Sequence, residues 1–500
     1  MNDLELTLGW VALEAGGSLR SGNPELAVGD VTTDSRSLRP GDLFVALRGP
    51  RFDGHAFVAE VLERGAAGAI VARGWVAGSQ EQDPAYEGRG TGLDHEGRRA
   101  GPGLWTRQGG VIEVDDTLTA LQDLAHGVRR EAGTRVIAIT GSAGKTTTKE
   151  AIAELLTSRY RVVRNKGNLN NHIGLPLSLM QLRTRPDVAV MELGMNHAGE
   201  ISRLVEIAAP DVRVWTNVGD AHLGFFASPD AIADAKAEIL ERSTRATVLV
   251  CNADDPRVMA RARGFAGRTM TFGTSEGAIV RATAVEDLGV DGMRARMVTP
   301  AGEQPIETPL LGRGNLSNLL AAAAVALDAG IALDQIASVA ARLRPADRRG
   351  VVTRLGGGVT LVDDSYNSSP TALRRALDVI AHESRFTRKV AVLGEMLELG
   401  DHTLALHEQC GRAAATSGLA LLFAVGGAPA RALADAAVAS GMPASAVVYF
   451  AQSSEAAPAV AQAVHAGDLV LVKGSRGTRT DIVVDRLASE FAPRPGSGQA

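Results

Sequence analysis

Short apolar runs alternate with glycine-rich turns and helical segments from about residue 134 onward, and this alternation restricts the fold more than any other feature of the chain. The first apolar runs fall at residues 136–140, 188–191, 212–215 and 248–250. After Pro345 such runs recur at residues 359–362, 390–393, 421–425 and 469–472. Strand-length runs separated by helical segments are typical of parallel sheets with crossover helices. The pattern therefore predicts a parallel sheet followed by a Rossmann-like domain.

The length of 500 residues indicates more than one hydrophobic core, because single cores stop growing beyond about 250–300 residues. Residues 28–72 hold short β-like runs such as 42–47 (DLFVAL), which predict a first α/β domain. Residues 77–110 lose the apolar pattern and are rich in Gly, Glu, Arg and Gln, so we predict a mobile insertion there. We expect an α/β protein of three domains, at residues 1–133, 134–344 and 345–500.

Composition argues against several classes of protein. A net charge of −5 with 45% hydrophobic residues indicates a globular chain without a nucleic-acid partner. The two cysteines, Cys251 and Cys410, lie too far apart in sequence to predict a disulfide framework or a zinc site. The acidic start MNDLE is unlike a signal peptide. The longest apolar run, residues 319–327, is about half the ~20 residues needed to span a bilayer. We expect a cytoplasmic protein with no membrane insertion.

The segment 140–147 (TGSAGKTT) directly follows an apolar run and opens a helix, as a phosphate-binding loop must. In such a loop glycines let backbone N–H groups close around phosphate, the lysine reaches the outer phosphates and the hydroxyl binds Mg²⁺. Ile139 stands where the strict motif has glycine, so this is a shorter variant of the loop; a plain glycine-rich turn is the alternative. The predicted ATP-binding residues are Gly141, Ser142, Ala143, Gly144, Lys145, Thr146 and Thr147.

Two polar residues follow later strands of the same predicted sheet. Glu192 follows the run at 188–191, and His222 lies in the segment 217–223 (NVGDAHL) after the run at 212–215. Ligands of open parallel sheets bind outside the carboxyl ends of the strands, where both residues would lie. Each residue is a candidate metal ligand, and the alternative for each is a solvated loop side chain.

Lys236 occupies an apolar position of a predicted helix. The segment 228–230 (SPD) has an N-cap serine with proline at the first helical position. Counting from Ile232 places Lys236 on the apolar stripe of this helix. One interpretation is that the side chain extends outward to solvent. The other is that desolvation lowers its pKa, so that the neutral amine reacts with CO₂ and forms a carbamate able to bind Mg²⁺.

Together these segments resemble the Mur ligases, a family of three-domain enzymes that form amides at the expense of ATP. The resemblance rests on the short phosphate loop, on His222, and on the segments 168–176 (NLNNHIGLP), 191–194 (MELG) and 235–238 (AKAE). It implies that Thr146 and Glu192 hold one Mg²⁺, and that His222 and a carbamylated Lys236 help to hold a second. It also implies that Asn315, in 312–318 (GRGNLSN), contacts adenine, although an asparagine helix cap is a compatible interpretation.

Further segments resemble one branch of this family. The segment 363–370 (DDSYNSSP) is similar to the signature of the members that add D-alanyl-D-alanine, although Ser368 and Ser369 depart from it. It implies that Asp364, Ser365 and Asn367 approach the nucleotide from the third domain. The segment 33–36 (TDSR) is similar to the UDP-precursor domain of those members and implies that Ser35 and Arg36 bind the precursor. The segments 49–57 and 394–400 (GEMLELG) resemble the same members, and the last domain lacks the Asp-Asn-Pro-Arg motif of the ligase for the preceding amino acid.

The resemblance implies an ATP-dependent ligase that joins D-alanyl-D-alanine to UDP-N-acetylmuramoyl-tripeptide through an acyl phosphate, and that works as a monomer. Its domains would close about hinges near Ala132 and Pro345. The segment 473–476 (KGSR) after the last strand is either an anion-binding loop, through Lys473, Ser475 and Arg476, or a basic surface turn.

Other classes remain as alternatives. A GTPase would have Asn-Lys-x-Asp, whereas residues 165–168 read NKGN. Another Mur-type ligase, a folylpolyglutamate-synthase-like ligase and a non-catalytic binding protein are the remaining possibilities.

Overall fold

The structure is a computed structural model that describes residues 3–50, 52–76, 109–220 and 223–492. Within these residues, no helix combines the length and the apolar character needed to cross a membrane. The chain divides into two compact units. The first comprises Met1–Val136, Arg161–Leu193 and Ser202–Pro210, and the second comprises Ile137–Tyr160, Gly194–Ile201 and Asp211–Ala500.

The described residues of the N-terminal part of the chain form short strands and three α-helices. In chain order they are β1 (Leu6–Thr7), α1 (Leu8–Glu14), β2 (Ser18–Ser21), β3 (Ala27–Val28), β4 (Val31–Thr32), β5 (Leu43–Val45), β6 (Arg48–Gly49), β7 (Phe52–Asp53), α2 (Val58–Glu63), β8 (Gly68–Ala72), β9 (Gly110–Val114) and α3 (Thr117–Ala132).

The first unit is built on a five-stranded sheet in the order β2-β9-β8-β5-β4. Strands β4, β5, β8 and β9 pair in parallel, and β2 pairs antiparallel to β9. Apolar side chains of β5, α2 and β8, among them Phe44, Val61 and Ala69, form its core. The predicted first α/β domain is thus present as a fold. Residues 77–108 of the predicted insertion lie outside the described residues, and β9 begins at Gly110.

The central part of the chain contains most of the predicted crossover units. Its elements are β10 (Arg135–Thr140), α4 (Lys145–Thr157), β11 (Val162–Arg164), α5 (Gly174–Leu179), β12 (Val188–Glu192), α6 (Glu200–Ala208), β13 (Val212–Trp215), α7 (Pro229–Ala237), β14 (Val248–Asn252), α8 (Pro256–Ala262), β15 (Arg268–Gly273), β16 (Val280–Asp287), β17 (Met293–Thr299), β18 (Gly302–Thr308), α9 (Gly312–Asp328) and α10 (Leu333–Ala340).

Strands β10, β13, β14, β15 and β16 of the second unit pair in parallel, and β17 and β18 continue from β16 as antiparallel strands. We call these strands the central sheet. Helix α9 contacts α4, and its residues 319–326, most of the longest apolar run of the chain, are all buried. Because β10 and β13 are parallel neighbours with Thr140 opposite Trp215, the segments that follow them emerge at the same sheet edge.

The C-terminal part of the chain forms a doubly wound sheet with helices on both faces. Its elements are β19 (Val351–Arg354), β20 (Thr360–Asp364), α11 (Pro370–His382), β21 (Lys389–Gly394), α12 (Thr403–Ala415), β22 (Leu421–Val425), α13 (Ala428–Ala439), β23 (Val447–Phe450), α14 (Ser453–Ala463), β24 (Leu469–Lys473) and α15 (Asp481–Glu490).

We call this second sheet, in the order β19-β20-β24-β21-β22-β23, the C-terminal sheet. Apart from β19, which is antiparallel, its strands are parallel. Alternate side chains of β24 enter opposite cores: Leu471 packs with α11, α12 and α13, whereas Val472 packs with α14 and α15. This alternation explains why the strand reads as a continuous apolar run, since both of its faces are covered. The prediction of a Rossmann-like fold is confirmed.

A buried carboxylate ties this sheet to the turn between β16 and β17. Glu383, which caps the end of α11, is 2% exposed. It accepts hydrogen bonds from the backbone N–H of Val290 at 3.1 Å and from the backbone and side chain of Arg385, each at 2.9 Å. The Arg385 side-chain bond is the main reason why the pKa of Glu383 falls to about 2, and burial acts in the opposite direction.

Glu383→Gln is expected to lower the free energy of unfolding by about 1.5–3 kcal/mol at pH 7, the usual range for a hydrogen bond to a charged group. Because the folded pKa of about 2 lies below the ordinary value of 4.5, this contribution is fully present above that value and is lost as the pH falls toward 2. Urea titrations at pH 7 and pH 3 would measure it. Glu408→Gln, which alters an exposed ion pair to Arg412, is the control, and an equal effect of Glu383→Gln at both pH values would contradict the prediction.

Candidate active site

The predicted phosphate loop lies between β10 and α4. Strand β10 ends at Thr140, Gly144 is the N-cap, and the first α-helical hydrogen bond of α4 runs from Thr148 N to the Gly144 carbonyl at 2.8 Å. The N–H groups of the first helical turn have no partner within the helix and carry the positive end of its dipole. This arrangement of strand, glycine-rich turn and helix is the one that binds phosphate.

Both loop glycines are required by backbone conformation and by space. Gly141 has φ +147° and Gly144 has φ +84°. A Cβ atom at Gly141 would lie 1.9 Å from Oγ1 of Thr216, and one at Gly144 would lie 2.1 Å from Oδ1 of Asn318. The positive φ angles and these close contacts together favour glycine at both positions of the loop.

Gly144→Ala is therefore expected to weaken nucleotide binding by about tenfold or more, because an alanine there adds left-handed strain of about 1–2 kcal/mol and a clash with the buried Asn318. Calorimetric titration with ADP and Mg²⁺ would measure the change. Gly264→Ala is the matched control, since Gly264 has φ +86° but nothing within 4 Å of the added Cβ. Equal ADP affinity of the Gly144 variant and wild type would contradict this account of the loop.

Two residues after β13 brace the loop, and the sequence interpretation did not identify them. Asn217 accepts from Ser142 N at its carbonyl and from Ala143 N at Oδ1, both at 3.0 Å, and its Nδ2 donates to the Ala143 carbonyl at 2.9 Å. The hydroxyl of Thr216 donates to the same carbonyl at 2.8 Å. The N–H groups of Ser142 and Ala143, which were predicted to face phosphate, are thus engaged with Asn217. The sequence feature that could have identified Thr216 and Asn217 is their position directly after a predicted parallel strand.

Lys145 folds back over the loop. Its Nζ donates to the Gly141 carbonyl at 2.8 Å, and its side chain is partly buried. This places a single positive charge beside the N-terminus of α4, where negative charge is favoured. The position is consistent with the predicted contact to the outer phosphates.

Lys236 is buried within the same unit. Helix α7 begins at Pro229 after an N-cap from Ser228, whose side chain accepts from Ala231 N, as predicted. Lys236 is 1% exposed, so the interpretation that it extends to solvent is wrong. Burial lowers the pKa of Lys236 well below its usual value, and the positive charge of Lys145 lowers that pKa further. Both effects favour the neutral form of the amine over its charged form.

A buried arginine fixes the end of the segment that carries Lys236. Arg213, on β13, is 2% exposed and donates to the carbonyls of Ile239 and Glu241, just beyond α7. Burial lowers the pKa of Arg213 to about 10, with the Glu241 charge acting in the opposite direction. Arg213 thus anchors the Lys236 segment to the central sheet, a role that its place in an apolar strand did not reveal.

Glu192, in the first unit, is held by Asn170, from the segment 168–176 that resembled the family, and by Asn165. The side chain is 4% exposed, and its Oε1 accepts from Nδ2 of Asn170 at 2.8 Å. Its backbone N–H donates to Oδ1 of Asn165 at 3.0 Å, and Nδ2 of Asn165 donates to its carbonyl at 3.1 Å. A buried, oriented carboxylate is thus present at the end of β12, rather than a solvated loop side chain.

Thr146 and His222 were the other predicted metal ligands besides Glu192 and Lys236. Thr146 is the second residue of α4, one position beyond Lys145. His222 lies outside the described residues. Among the residues that the structure does describe, no group of three or more His, Cys, Asp or Glu side chains could hold a metal ion.

Both cysteines are buried and free, and burial raises their pKa values to about 12 for Cys251 and about 11 for Cys410.

Asn315 does not cap a helix. Helix α9 already begins at Gly312 after Leu311, so Asn315 lies within its first turn and the cap interpretation is wrong. Its Nδ2 donates to the Leu311 carbonyl at 2.9 Å, and its Oδ1 accepts from Asn318 at 3.1 Å. Because Asn318 lies against Gly144, Asn315 is one side chain away from the phosphate loop. The predicted contact with adenine stays a prediction.

The segments 363–370 and 473–476, which had both been predicted to bind ligand, contact each other in the C-terminal sheet. Lys473 is 3% exposed; its Nζ donates to Asp364 Oδ2 at 2.7 Å and to the Asn367 carbonyl at 3.0 Å. Ser475 is also buried and accepts from Leu397 N at 3.1 Å. These two residues are therefore not part of a basic surface turn. Because Asp364 offsets the charge of Lys473, the exposed Arg476 is the stronger candidate for anion binding.

The neighbouring Ser365 faces the same strand end. Its hydroxyl donates to Asp363, whose pKa is raised chiefly by burial. The predicted contacts of Asp364, Ser365 and Asn367 with nucleotide stay predictions.

The predicted precursor-binding residues lie in a short 3₁₀ turn of the first unit, Ser35–Ser37. Arg36 donates to Asp34 from Nε at 2.8 Å and from Nη2 at 2.7 Å. The side-chain bond from Arg36 is the main reason why the pKa of Asp34 falls to about 2. The guanidinium remains largely exposed, with 88% of its side-chain surface accessible.

The phosphate loop at the carboxyl edge of a parallel sheet, with Lys236 close enough to Lys145 to feel its charge, defines a nucleotide-binding protein of the phosphate-loop type. Sequence profiles of the Mur ligases match three parts of the chain: the "Mur ligase family, catalytic domain" at residues 28–90, the "Mur ligase middle domain" at 139–326 and the "Mur ligase, glutamate ligase domain" at 348–476. The chain belongs to the Mur ligase family.

Individual relatives agree with this assignment. The chain is 33% identical over 457 residues to the UDP-N-acetylmuramoyl-tripeptide–D-alanyl-D-alanine ligase of Bacillus subtilis, covering 91% of this chain and 92% of that one. It is similar to a crystal structure of MurF from Acinetobacter baumannii, with a TM-score of 0.83, 31% identity, and coverage of 98% and 100%. MurF from Thermotoga maritima in complex with ADP gives a TM-score of 0.77 at 28% identity, covering 92% of this chain and 97% of that one.

Proposed function

We propose that this protein joins D-alanyl-D-alanine to UDP-N-acetylmuramoyl-tripeptide at the expense of ATP, giving the pentapeptide precursor, ADP and phosphate. The observation that carries the proposal is the built phosphate loop at residues 141–147, in a chain that matches over nine-tenths of its length a ligase of that name. The reaction would take place in the cytoplasm, where ATP is available, and we propose that the enzyme is a monomer.

The first chemical step activates the tripeptide. A carboxylate is a poor acyl donor, so one oxygen of its terminal carboxylate attacks the γ-phosphorus of ATP and the bond from that phosphorus to the β,γ-bridging oxygen breaks, giving an acyl phosphate and ADP. Negative charge spreads over the phosphoryl oxygens as this occurs. Lys145 and the N-terminus of α4 lie where they would stabilise this charge.

Divalent cation binding fits the donors present. The hydroxyl of Thr146 and the buried carboxylate of Glu192 are oxygen ligands of the kind that Mg²⁺ prefers. Mg²⁺ bound there would offset phosphate charge. We propose that Thr146 and Glu192 hold one ion and that His222 and a carbamylated Lys236 help to hold a second.

The carbamate proposal follows from the environment of Lys236. The neutral Nζ attacks the carbon of CO₂ and a proton is released, which leaves an N–COO⁻ group. Burial and the nearby Lys145 charge favour the neutral amine that this reaction needs. The product carries a negative charge, which the nearby positive charge of Lys145 would stabilise.

The second step forms the amide. The amine of D-alanyl-D-alanine attacks the acyl carbon, the resulting tetrahedral intermediate collapses, and phosphate leaves with the oxygen that came from the carboxylate.

We propose three domains, at residues 1–133, 134–344 and 345–500, for precursor, ATP and dipeptide respectively. Their closure about hinges near Ala132 and Pro345 would bring the reactants together. Ser35 and Arg36 would bind the precursor, Asn315, Asp364, Ser365 and Asn367 the nucleotide, and Lys473, Ser475 and Arg476 would form an anion-binding loop.

A product assay tests the proposal. The enzyme is incubated with ATP, Mg²⁺ and UDP-N-acetylmuramoyl-tripeptide, with and without D-alanyl-D-alanine, using both common diamino acids at the third position. Phosphate release together with a pentapeptide mass only when dipeptide is present would support the proposal. Product from a single amino acid, or from a folate substrate, and none from the dipeptide would overturn it.

A further inference from the structure

After β13, residues 217–220 contact the phosphate loop and the C-terminal sheet, and residues 223–226 contact the C-terminal sheet again. On one side, Asn217 braces Ser142 and Ala143 as described, and the Gly219 carbonyl accepts from the Ser142 hydroxyl at 3.3 Å. The backbone N–H of Val218 donates to Oδ2 of Asp255 at 2.8 Å. This side of the segment is therefore continuous with the phosphate loop.

On its other side, the same segment is attached to helix α11. Oδ2 of Asp220 accepts from the hydroxyl of Thr371 and from Nη2 of Arg374, both at 2.9 Å. Thr371 and Arg374 are three residues apart, so they lie on one face of α11. The Arg374 guanidinium also contacts the Thr371 hydroxyl at 3.5 Å. A single carboxylate thus holds two side chains of this helix.

A second attachment lies four residues further on. Gly224 donates from its backbone N–H to the Glu398 carbonyl at 3.0 Å, and a Cβ at Gly224 would lie 2.8 Å from Gly400 N. The two backbones therefore approach closely, in the segment 394–400 of the C-terminal sheet. Asp220 and Gly224 thus both contact residues of the C-terminal part of the chain.

The ion pair between Asp220 and Arg374 also affects the charge near the phosphate loop. Asp220 is one residue from Gly219, which contacts the phosphate loop. Without Arg374, its carboxylate would carry an uncompensated negative charge close to the site of a polyphosphate, and like charges repel at such range. The Arg374 pairing offsets that charge only while α11 is in place. The pair therefore links the position of the C-terminal sheet to the electrostatics and geometry of the loop.

We propose that Asp220, Thr371 and Arg374 are positioning residues that tie the C-terminal sheet to the phosphate loop, so that the loop reaches its catalytic arrangement only when α11 is docked. This role rests on the ligase activity proposed above. The effect of Asp220 on the loop would pass through Gly219 and Asn217, which contact the loop. Asp220 itself bonds to Thr371 and Arg374.

A double-mutant cycle tests the proposal. Arg374→Ala and Asp220→Ala are each expected to lower kcat about 10- to 100-fold, the range associated with a small misplacement of catalytic groups, and the double variant should be no worse than the poorer single variant. Arg374→Lys should retain more kcat than Arg374→Ala. Arg412→Ala, which removes an ion pair within the C-terminal sheet's own helix α12, is the matched control and should stay within twofold of wild type. Single variants within twofold of wild type, or additive losses in the double variant, would overturn the proposal.

Backbone amide hydrogen exchange separates this proposal from the proposed function. In Arg374→Ala, amides of residues 217–219 and 142–146 should exchange faster than in wild type, whereas helices α14 and α15 should be unchanged. If wild-type enzyme formed no pentapeptide, the proposed function would fail, and the exchange result would still decide the positioning role. Exchange in the phosphate loop equal to wild type would overturn it; faster exchange confined to the two named segments would support it.

Discussion

Replacing Lys145 by methionine is expected to lower kcat for pentapeptide formation by about 10²- to 10³-fold, the usual effect of removing one preorganised charge-stabilising donor. Lys145 supplies the positive charge beside the first turn of α4, and its Nζ is oriented by the Gly141 carbonyl at 2.8 Å. Methionine keeps the length of the side chain but not its charge. Because charge on the phosphoryl oxygens changes during transfer, the loss should be larger in kcat than in ADP affinity.

Steady-state phosphate release and ADP titration, carried out on the same preparations, would measure both effects. Lys389→Met is the matched control, since Lys389 begins β21 and its Nζ lies near the carbonyl of Ala381, at the amino end of that strand. That variant should retain wild-type kcat. A Lys145 variant that loses ADP affinity but keeps kcat at saturating ATP would show that Lys145 binds nucleotide without stabilising the transferred phosphoryl group.

Lys236→Ala is expected to lower kcat by about 10²- to 10³-fold, because it removes both the amine and any carbamate formed on it. Wild-type enzyme depleted of CO₂ should lose activity and regain it on addition of bicarbonate, whereas the variant should not respond. Incubation with ¹³C-labelled CO₂ should give a carbamate carbon signal in wild type that is absent from the variant. Near-normal activity of Lys236→Ala would contradict the proposed role.

The same position also predicts a separation between activity and stability. Lys236 is 1% exposed, and a methionine of similar length removes an amine whose charged form is disfavoured by burial. Lys236→Met should therefore be as stable as wild type toward urea while being as inactive as Lys236→Ala. A variant that is both inactive and unfolded would assign the lysine a structural role instead.

Much of the fold could be predicted from sequence because its determinants are local. The apolar run at 469–472 became β24, buried on both faces, and serine followed by proline at 228–229 began α7 as predicted. These features depend on residues near each other in the chain. Gly110 was less predictable, because glycine reads as a loop residue, although Gly110 pairs with Gly68 in a sheet.

The candidate site was predicted less completely because its supporting contacts are distant in sequence. The phosphate loop was visible as a motif, but its brace at Asn217 lies 74 residues from Ala143. Similarly, Lys473 pairs with Asp364, which lies 109 residues away in the sequence, so the segment 473–476 alone could not predict this ion pair. Periodicity alone could not show whether the Lys236 amine is buried or extends to solvent, and the structure shows that it is buried. Pairing and burial depend on packing, which the local pattern does not contain.

The measurement that tests the central claim most directly follows the carboxylate oxygens of the tripeptide. UDP-N-acetylmuramoyl-tripeptide labelled with ¹⁸O in its terminal carboxylate is converted with ATP, Mg²⁺ and D-alanyl-D-alanine, and the released phosphate is analysed by mass. If the chain forms an amide through an acyl phosphate, each phosphate should carry one ¹⁸O atom from the carboxylate. Pentapeptide formation with unlabelled phosphate would contradict the acyl phosphate and the role assigned to the loop.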